Sequence, residues 1–290
     1  MQKILYYLIA GAFHLWSRLP LAWLYGLFRF TGWVIFGLFR YRRSVIARNM
    51  EIAFPDDTPE KHKILEHQFI RHFMDTIAEI IKAWSIKPEE LRRRFEIHFS
   101  EEIVRDLQTG QDVFLAGAHV NNWEWAVLSA GDQTPGRAVG IYKPLSNQVM
   151  DRIIAQLRER LGTRMVPMGQ VIRDILTTDR SASAYLFLSD QSTPFTESAH
   201  WTDFFGVQTP FVSGMSTLAV RRNIPIYYFY IEKIRQGFYE ARFTLLVRDA
   251  QNYSPEEITS LYSKKVMENI LNQPACWLWT HKRWKRVLQY

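Results

Sequence analysis

The stretch Asp112-Val113-Phe114-Leu115-Ala116-Gly117-Ala118-His119-Val120-Asn121-Asn122-Trp123-Glu124, with the apolar run Trp125 to Leu128 after it, carries most of what can be read from this chain. Asp112 to Leu115 reads as a buried strand, and the segment from Trp123 onward as the start of a helix. His119 therefore sits at a strand end, and Glu124, five residues later, in the first helical turn. Histidine is the side chain whose unperturbed pKa lies nearest neutrality. A carboxylate that accepts from its ring fixes the tautomer and stabilises the imidazolium. Such a pair is the base and its orienter without a nucleophile, suited to deprotonating a hydroxyl that belongs to a substrate. A lone His-x4-Glu also fits a capped helix with a satisfied histidine, so its weight depends on the rest of the chain.

Outward from this stretch, strands and helices alternate from about Phe95. Val113 to Ala116, Ala138 to Tyr142, Arg164 to Pro167, Ala184 to Leu188, Pro225 to Ile231 and Tyr239 to Val247 read as strands. Asn147 to Leu161, Gln170 to Thr177, Ser213 to Arg222 and Pro255 to Leu271 read as helices. This pattern predicts an α/β fold with a mixed, largely parallel central sheet flanked by helices. Ligands of such sheets collect at the carboxyl ends of the strands, where His119 stands. Upstream, Asn49 to Pro59 reads as a loop. Thr58 then caps a helix running from Pro59 to about Ala83.

The N-terminus is apolar twice over, at Ile4 to Trp16 and at Leu19 to Phe39, where Arg29 is the only charge. Arg40, Arg42, Arg43 and Arg48 follow, and positive clusters beside apolar segments mark the cytoplasmic side of a membrane. Ala10-Gly11-Ala12 resembles a cleavage site, but the apolar stretch before it is too short for a signal peptide. Residues 1–45 are thus expected to be a membrane-associated helical segment, either an anchor or a helical pair lying in one leaflet. Residues 46–290 are expected to form the catalytic domain. The composition agrees: 47% hydrophobic residues, 10 Trp, 13 Tyr and 19 Phe accompany a net charge of +7. Aromatic and basic residues together suit a lipid interface. Nucleic acid is the rival partner for a basic surface, but no nucleic-acid-binding motif is present.

Four further segments can carry chemistry. Lys143, after the strand Ile141-Tyr142, can hold a phosphate or stabilise an oxyanion, and the following helix bears Asp151, Arg152, Arg158 and Arg160. Asp190-Gln191 ends another strand, before a small and polar loop from Ser192 to Thr202; its carboxylate can pair with Lys143 or with a basic residue near the site. Asp203-Phe204-Phe205-Gly206 leads toward a helix start at Ser213-Gly214, with aromatics that could line an acyl-chain groove. The C-terminal run from Trp277 to Arg286 interleaves three tryptophans with basic residues, as at a membrane interface. The single cysteine, Cys276, excludes an internal disulfide and is expected to be a small buried side chain. His62, His67 and His72 recur every five residues, which scatters them around a helix instead of building a metal site. No Gly-x-Ser-x-Gly, Gly-x-x-x-x-Gly-Lys-[Ser/Thr], Gly-x-Gly-x-x-Gly or His-Glu-x-x-His motif occurs.

In this order the segments resemble the late acyltransferases of lipid A biosynthesis, within the larger lysophospholipid acyltransferase group. The resemblance rests on Arg40-Tyr41-Arg42-Arg43, Asn49 to Pro55, the box His119 to Glu124, Tyr142-Lys143-Pro144, Asp190-Gln191, Phe204-Phe205-Gly206 and the closing Trp277 to Lys285. Many members have Gly-Asn where this chain has Asn121-Asn122, and Arg where it has Lys143. The resemblance implies transfer of a fatty acyl chain from a thioester, with acyl carrier protein as carrier, to a hydroxyl of an anionic lipid A precursor. It places that reaction at the cytoplasmic face of the bacterial inner membrane, with membrane lipid as a further partner. The expected roles are His119 as base and Glu124 as its orienter, with Lys143, Asp190, Asn122 and Arg158 binding substrate or the oxyanion. Neither a metal, a cofactor nor a covalent acyl-enzyme is required. Three alternatives stay open: an acyltransferase for a glycerolipid or another glycolipid, a non-catalytic membrane lipid-binding protein, and an esterase with an unrecognised nucleophile.

Overall fold

A computed structural model describes residues 2–177, 181–193 and 199–286. Its helices are α1 (Gln2–Ser17), α2 (Leu21–Gly32), α3 (Arg43–Ala53), α4 (Pro59–Lys82), α5 (Pro88–Arg94), α6 (Glu101–Gln108), α7 (Trp123–Gln133), α8 (Gln148–Glu159), α9 (Val171–Thr177), α10 (Gly214–Arg222) and α11 (Pro255–Asn272). The strands are β1 (Phe95–His98), β2 (Val113–Gly117), β3 (Arg137–Tyr142), β4 (Arg164–Pro167), β5 (Ser183–Leu188), β6 (Ala199–Phe204), β7 (Val207–Val212), β8 (Ile226–Arg235) and β9 (Phe238–Val247).

Seven strands form one sheet in the order β1-β9-β8-β2-β5-β3-β4, parallel throughout except for the antiparallel pair β8–β9. The mixed, largely parallel sheet is as expected. Strand alternation splits the core in two. Val113 and Leu115 of β2 join Trp125 and Leu128 of α7 and Leu107 of α6 on one face. Phe114 and Ala116 join Phe69 and Met74 of α4 and Val266 of α11 on the other. Polar caps start the helices. Thr58 accepts from the Lys61 N–H ahead of α4, Asn147 from Val149 and Met150 at α8, and Ser254 forms a capping box with Glu257 at α11.

Two segments depart from expectation. Asn49 to Ala53 is the last part of α3 and not loop. The helix ends only at Phe54, because the residue before Pro55 is pushed toward extended backbone. Residues 199–212 are a hairpin, β6–β7, and not a lead-in to a helix. Its two-residue turn puts Phe205 and Gly206 at φ +58° and +73°, the twist that tight hairpins require. Residues 194–198 of the expected polar loop lie outside the described residues.

At the N-terminus, α1 and α2 lie against the domain. Leu24 and Tyr25 pack on Ala78 and Ile81 of α4, while Tyr6 packs on Val149 and Ile153 of α8. Arg29, the lone charge of the second apolar run, makes a two-pronged ion pair with buried Asp75 of α4, 2.7 and 2.8 Å. A π-helical stretch, Trp33–Leu38, continues α2. Leu21–Leu38 is long and apolar enough by length and composition to cross a membrane. Its outer face leaves Trp23, Phe30 and Trp33 more than half exposed, at 71%, 64% and 64%.

Candidate active site

Strand register builds the site. β2 and β5 are parallel neighbours with Gly117 opposite Leu188. His119 lies two residues beyond Gly117 and Asp190 two beyond Leu188, so adjacent strands set them side by side. The His119 ring accordingly holds Asp190 through Nδ1, at 2.6 Å from Oδ1, and the His119 backbone N–H donates to Oδ2 at 3.1 Å. The Trp277 indole N–H adds a third bond to Asp190, 2.8 Å to Oδ2. Asp190 is buried, whereas the His119 side chain keeps 16% of its surface exposed. Burial pushes the Asp190 carboxyl up; the His119 charge and the hydrogen bonds from His119 and Trp277 outweigh it and hold the group at about 2. An ionised Asp190 makes Nδ1 the protonated nitrogen and leaves the lone pair on Nε2. No hydrogen bond reaches that Nε2 among the described residues.

Glu124, expected to orient the ring, makes no hydrogen bond to His119 among the described residues. Arg158 of α8 grips it in a fork, Nε to Oε2 at 2.8 Å and Nη2 to Oε1 at 2.6 Å, and the Trp123 indole donates to Oε1 at 3.1 Å. Burial raises the Glu124 carboxyl, but the Arg158 charge and fork bring it below its ordinary value. The physical reason is the helix: Glu124 projects from the first turn of α7 toward α8, while His119 belongs to the strand end. The Trp123 ring stands edge-on to His119, centroids 5.3 Å apart, between the two pairs.

The remaining expected site residues divide. Arg158 is engaged by Glu124, which takes the fork it would offer to a phosphate. Asn122 is fully buried; its oxygen caps α7 at Trp125 N–H, 2.9 Å, and its nitrogen donates to Glu79 at 2.7 Å. In this structure it caps the helix and ties it to α4. Lys143 is exposed at the end of β3, has no hydrogen bond or ion pair among the described residues, and does not meet Asp190. The C-terminal tryptophans are not interfacial either. Trp277, Trp279 and Trp284 are buried, and Trp277 bridges Val120 beside the histidine. Phe204 is a core ring against Phe211, Trp277 and Trp284. Burial raises the Cys276 thiol to about 11, which leaves little thiolate for a nucleophile.

Several residues around the site carry no signal in the local sequence. Buried Glu79 of α4 accepts from Tyr25, Asn122 and Tyr239, at 2.7, 2.7 and 2.8 Å, tying α2, the α7 cap and β9 together. Burial raises its carboxyl above the ordinary range. Tyr262 of α11 donates to the Gly117 carbonyl at 2.7 Å and accepts from Ser189 N–H at 3.0 Å, pinning both strand ends. Buried Arg283 lies over the Phe211 ring, 4.2 Å from its centroid, and donates to the Pro210 carbonyl. Asn49 donates to the carbonyls of Trp279 and His281, at 2.8 and 2.7 Å, so α3 is tied to the C-terminal run. Asn121 occupies the left-handed region at φ +57°, a conformation Asn tolerates better than most residues. A surface cluster of Glu96, His98 and Glu240 brings three possible metal ligands together, but at the β1–β9 edge of the sheet, apart from the pair on β2 and β5.

A sequence model of the family described as "bacterial lipid A biosynthesis acyltransferase" matches residues 1–286. The chain belongs to that family. A lipid A biosynthesis palmitoleoyltransferase of Escherichia coli (strain K12) is 22% identical over 277 residues, 95% of this chain and 89% of that protein. A lipid A biosynthesis lauroyltransferase of the same organism is 23% identical over 278 residues, with the same coverage, 95% and 89%. A lipid A biosynthesis acyltransferase of Haemophilus influenzae is 26% identical over 129 residues, 43% of this chain and 39% of its own. The protein is therefore an O-acyltransferase, a transferase of lipid A biosynthesis. Its His119–Asp190 pair has the geometry of a base with its orienter.

Proposed function

We propose that this acyltransferase moves a fatty acyl chain from a thioester, carried by acyl carrier protein, to a hydroxyl of a lipid A precursor. The observation that carries the reading is the 2.6 Å contact from His119 Nδ1 to buried Asp190, which leaves Nε2 as the base. His119 Nε2 takes the proton of the acceptor hydroxyl as its oxygen attacks the thioester carbonyl. Asp190 stabilises the imidazolium that forms. Lys143, exposed after β3, supplies the positive charge that stabilises the oxyanion in this reading. The tetrahedral intermediate collapses, the C–S bond breaks, and the thiolate takes the proton back from Nε2. Glu124, held by Arg158, fixes α7 against α8 and adds negative charge beside the ring.

Residues 1–45 serve in this reading as the membrane-associating segment and residues 46–290 as the catalytic domain. The exposed aromatics of α2 and the arginines from Arg40 to Arg43 support attachment at the cytoplasmic face of the bacterial inner membrane. The Arg29–Asp75 pair supports a helical pair lying on the leaflet, because a spanning α2 would take that contact into hydrocarbon.

The test is turnover by purified protein given acyl carrier protein thioesters, with a disaccharide lipid A precursor or lysophosphatidate as acceptor and products identified by mass. Acylation of the disaccharide is expected. Exclusive acylation of lysophosphatidate would overturn the acceptor, and His119→Ala retaining more than about a tenth of wild-type transfer would overturn the base, whose help is worth roughly 10²–10⁴ in rate.

A further inference from the structure

A cavity of about 410 Å³ opens between the π-helical stretch Trp33–Leu38 and α4, sharing no residue with the His119 site. Ligand sites are commonly about 300–1,000 Å³. Trp33, Phe36, Ile70 and Met74 form its apolar wall, and Arg29, Arg43, His67 and Arg71 its charged part. Gly32 and Gly37 also line it. A Cβ on Gly32 would stand 2.5 Å from Met74 Cγ, so α2 closes on α4 there, whereas one on Gly37 would meet only ordinary contacts. π-helical turns of this kind often accompany functional sites.

Charge distinguishes this cavity from a packing gap. Arg29 is neutralised by Asp75 and Arg43 by Glu66, each through a two-pronged pair. His67 and Arg71 are exposed, one helical turn apart on α4, and neither has a hydrogen bond or ion pair among the described residues. Phe30, Leu38 and Phe39, on or just after the helical segment that bounds the cavity, and Ile64 on α4 are mostly exposed. An apolar cavity with unpaired basic groups at its border, on a face with so much exposed apolar surface, is complementary to one kind of molecule: an amphiphile with an anionic head.

We infer that the cavity holds an anionic glycerophospholipid of the surrounding bilayer, its phosphate at Arg71 and His67 and one acyl chain against Trp33, Phe36 and Met74. The inference rests on the reading that this face meets the membrane. The bound lipid would fix the N-terminal helices at a set depth, separately from the acceptor.

The experiment is native mass spectrometry of the full chain in neutral detergent, titrated with phosphatidylglycerol, phosphatidylcholine or inorganic phosphate. One phosphatidylglycerol is expected to be retained, at least about tenfold more tightly than phosphatidylcholine, and millimolar phosphate should not displace it. The double variant R71A/H67A should weaken retention by about tenfold or more, as expected for lost charge-assisted contacts. Gly37→Leu should do so by filling the cavity with the charges intact; unchanged circular dichroism and Tm establish that both variants are folded. Equal retention of the two lipids, wild-type retention by both variants, or displacement by a lipid A precursor at equal concentration would overturn the inference. Vesicle flotation separates the two readings. Protein that retains phosphatidylglycerol but does not float defeats the membrane-facing reading alone, and floating protein without retention defeats this site alone.

Discussion

Two carboxylates are candidates to orient His119, and their surroundings differ. Asp190 accepts from the ring at Nδ1, whereas Glu124 receives both prongs of Arg158. Asp190→Asn keeps the shape but can present its amide to Nδ1 and favour the wrong tautomer. It is expected to lower kcat by roughly 10²–10⁴, with some loss of melting temperature as well, because an amide cannot accept all three of the bonds that Asp190 accepts. Glu124→Gln should act the other way. It strands Arg158 half in the interior, and breaking such a pair costs about 3–5 kcal/mol when one partner is removed. The double variant Glu124→Gln/Arg158→Met should recover much of that stability, because no unpaired charge remains. Steady-state kinetics and thermal unfolding on the same preparations separate the two residues. A larger kcat loss in Glu124→Gln than in Asp190→Asn would return the orienting role to Glu124.

Elements meet at the site through contacts that cross most of the chain, and that is where local sequence falls short. The strand ends bearing His119 and Asp190 were legible from their apolar runs, as were β4 and the start of α4. That β2 and β5 are neighbours, in the register that joins the pair, depends on strand order, which periodicity does not encode. A helical first turn was legible at Glu124, but its partner 34 residues away was not. The C-terminal tryptophans looked interfacial because interleaved aromatic and basic residues read alike at a membrane and in a polar-laced core; three buried rings and buried Arg283 show the latter. Asn49 is the clearest junction between elements, its amide serving two carbonyls of the C-terminal run from within α3. Asn49→Ala should cost about 1–3 kcal/mol, the penalty for leaving buried groups unsatisfied. Asn49→Asp should cost more, since a carboxylate would face two acceptors with nothing to donate. Denaturant unfolding checks the order, and Asp tolerated as well as Ala would mean the amide donates to neither carbonyl in solution.

For the whole molecule, two surfaces of contact with solvent set the response to conditions. The first is pH. His72 and His281 are kept neutral by burial, at about 3 and about 4 against an ordinary 6.5. The unfolded chain therefore binds more protons than the folded one below pH 6.5, and stability must fall as pH drops from there toward 4. Asp190 adds a further loss between its ordinary 3.8 and about 2. Glu79 has the opposite sign: its raised carboxyl makes the folded state the better proton binder just above pH 4.5, so it partly offsets the histidines there. His281→Gln keeps an acceptor for the Ser192 N–H, and His72→Gln keeps one for Lys233. Both should flatten the slope of urea midpoint against pH between 6.5 and 4, and an unchanged slope would show that these rings already titrate normally in the fold. The second surface is apolar. Trp23 and Phe30 lie on the outer side of α2, whose inner side is fixed by Tyr25 to Glu79 and by Arg29 to Asp75. The helix is thus fastened to the domain by polar contacts while its aromatics face outward, an arrangement suited to resting on a leaflet. Fully burying one such ring in lipid is worth about 1.5–3 kcal/mol. Trp23→Ser and Phe30→Ser should each weaken vesicle partitioning by roughly tenfold or more without altering turnover of a detergent-dispersed acceptor. Flotation together with the detergent assay separates attachment from chemistry, and equal losses in both would mean that the α2 surface belongs to the substrate path.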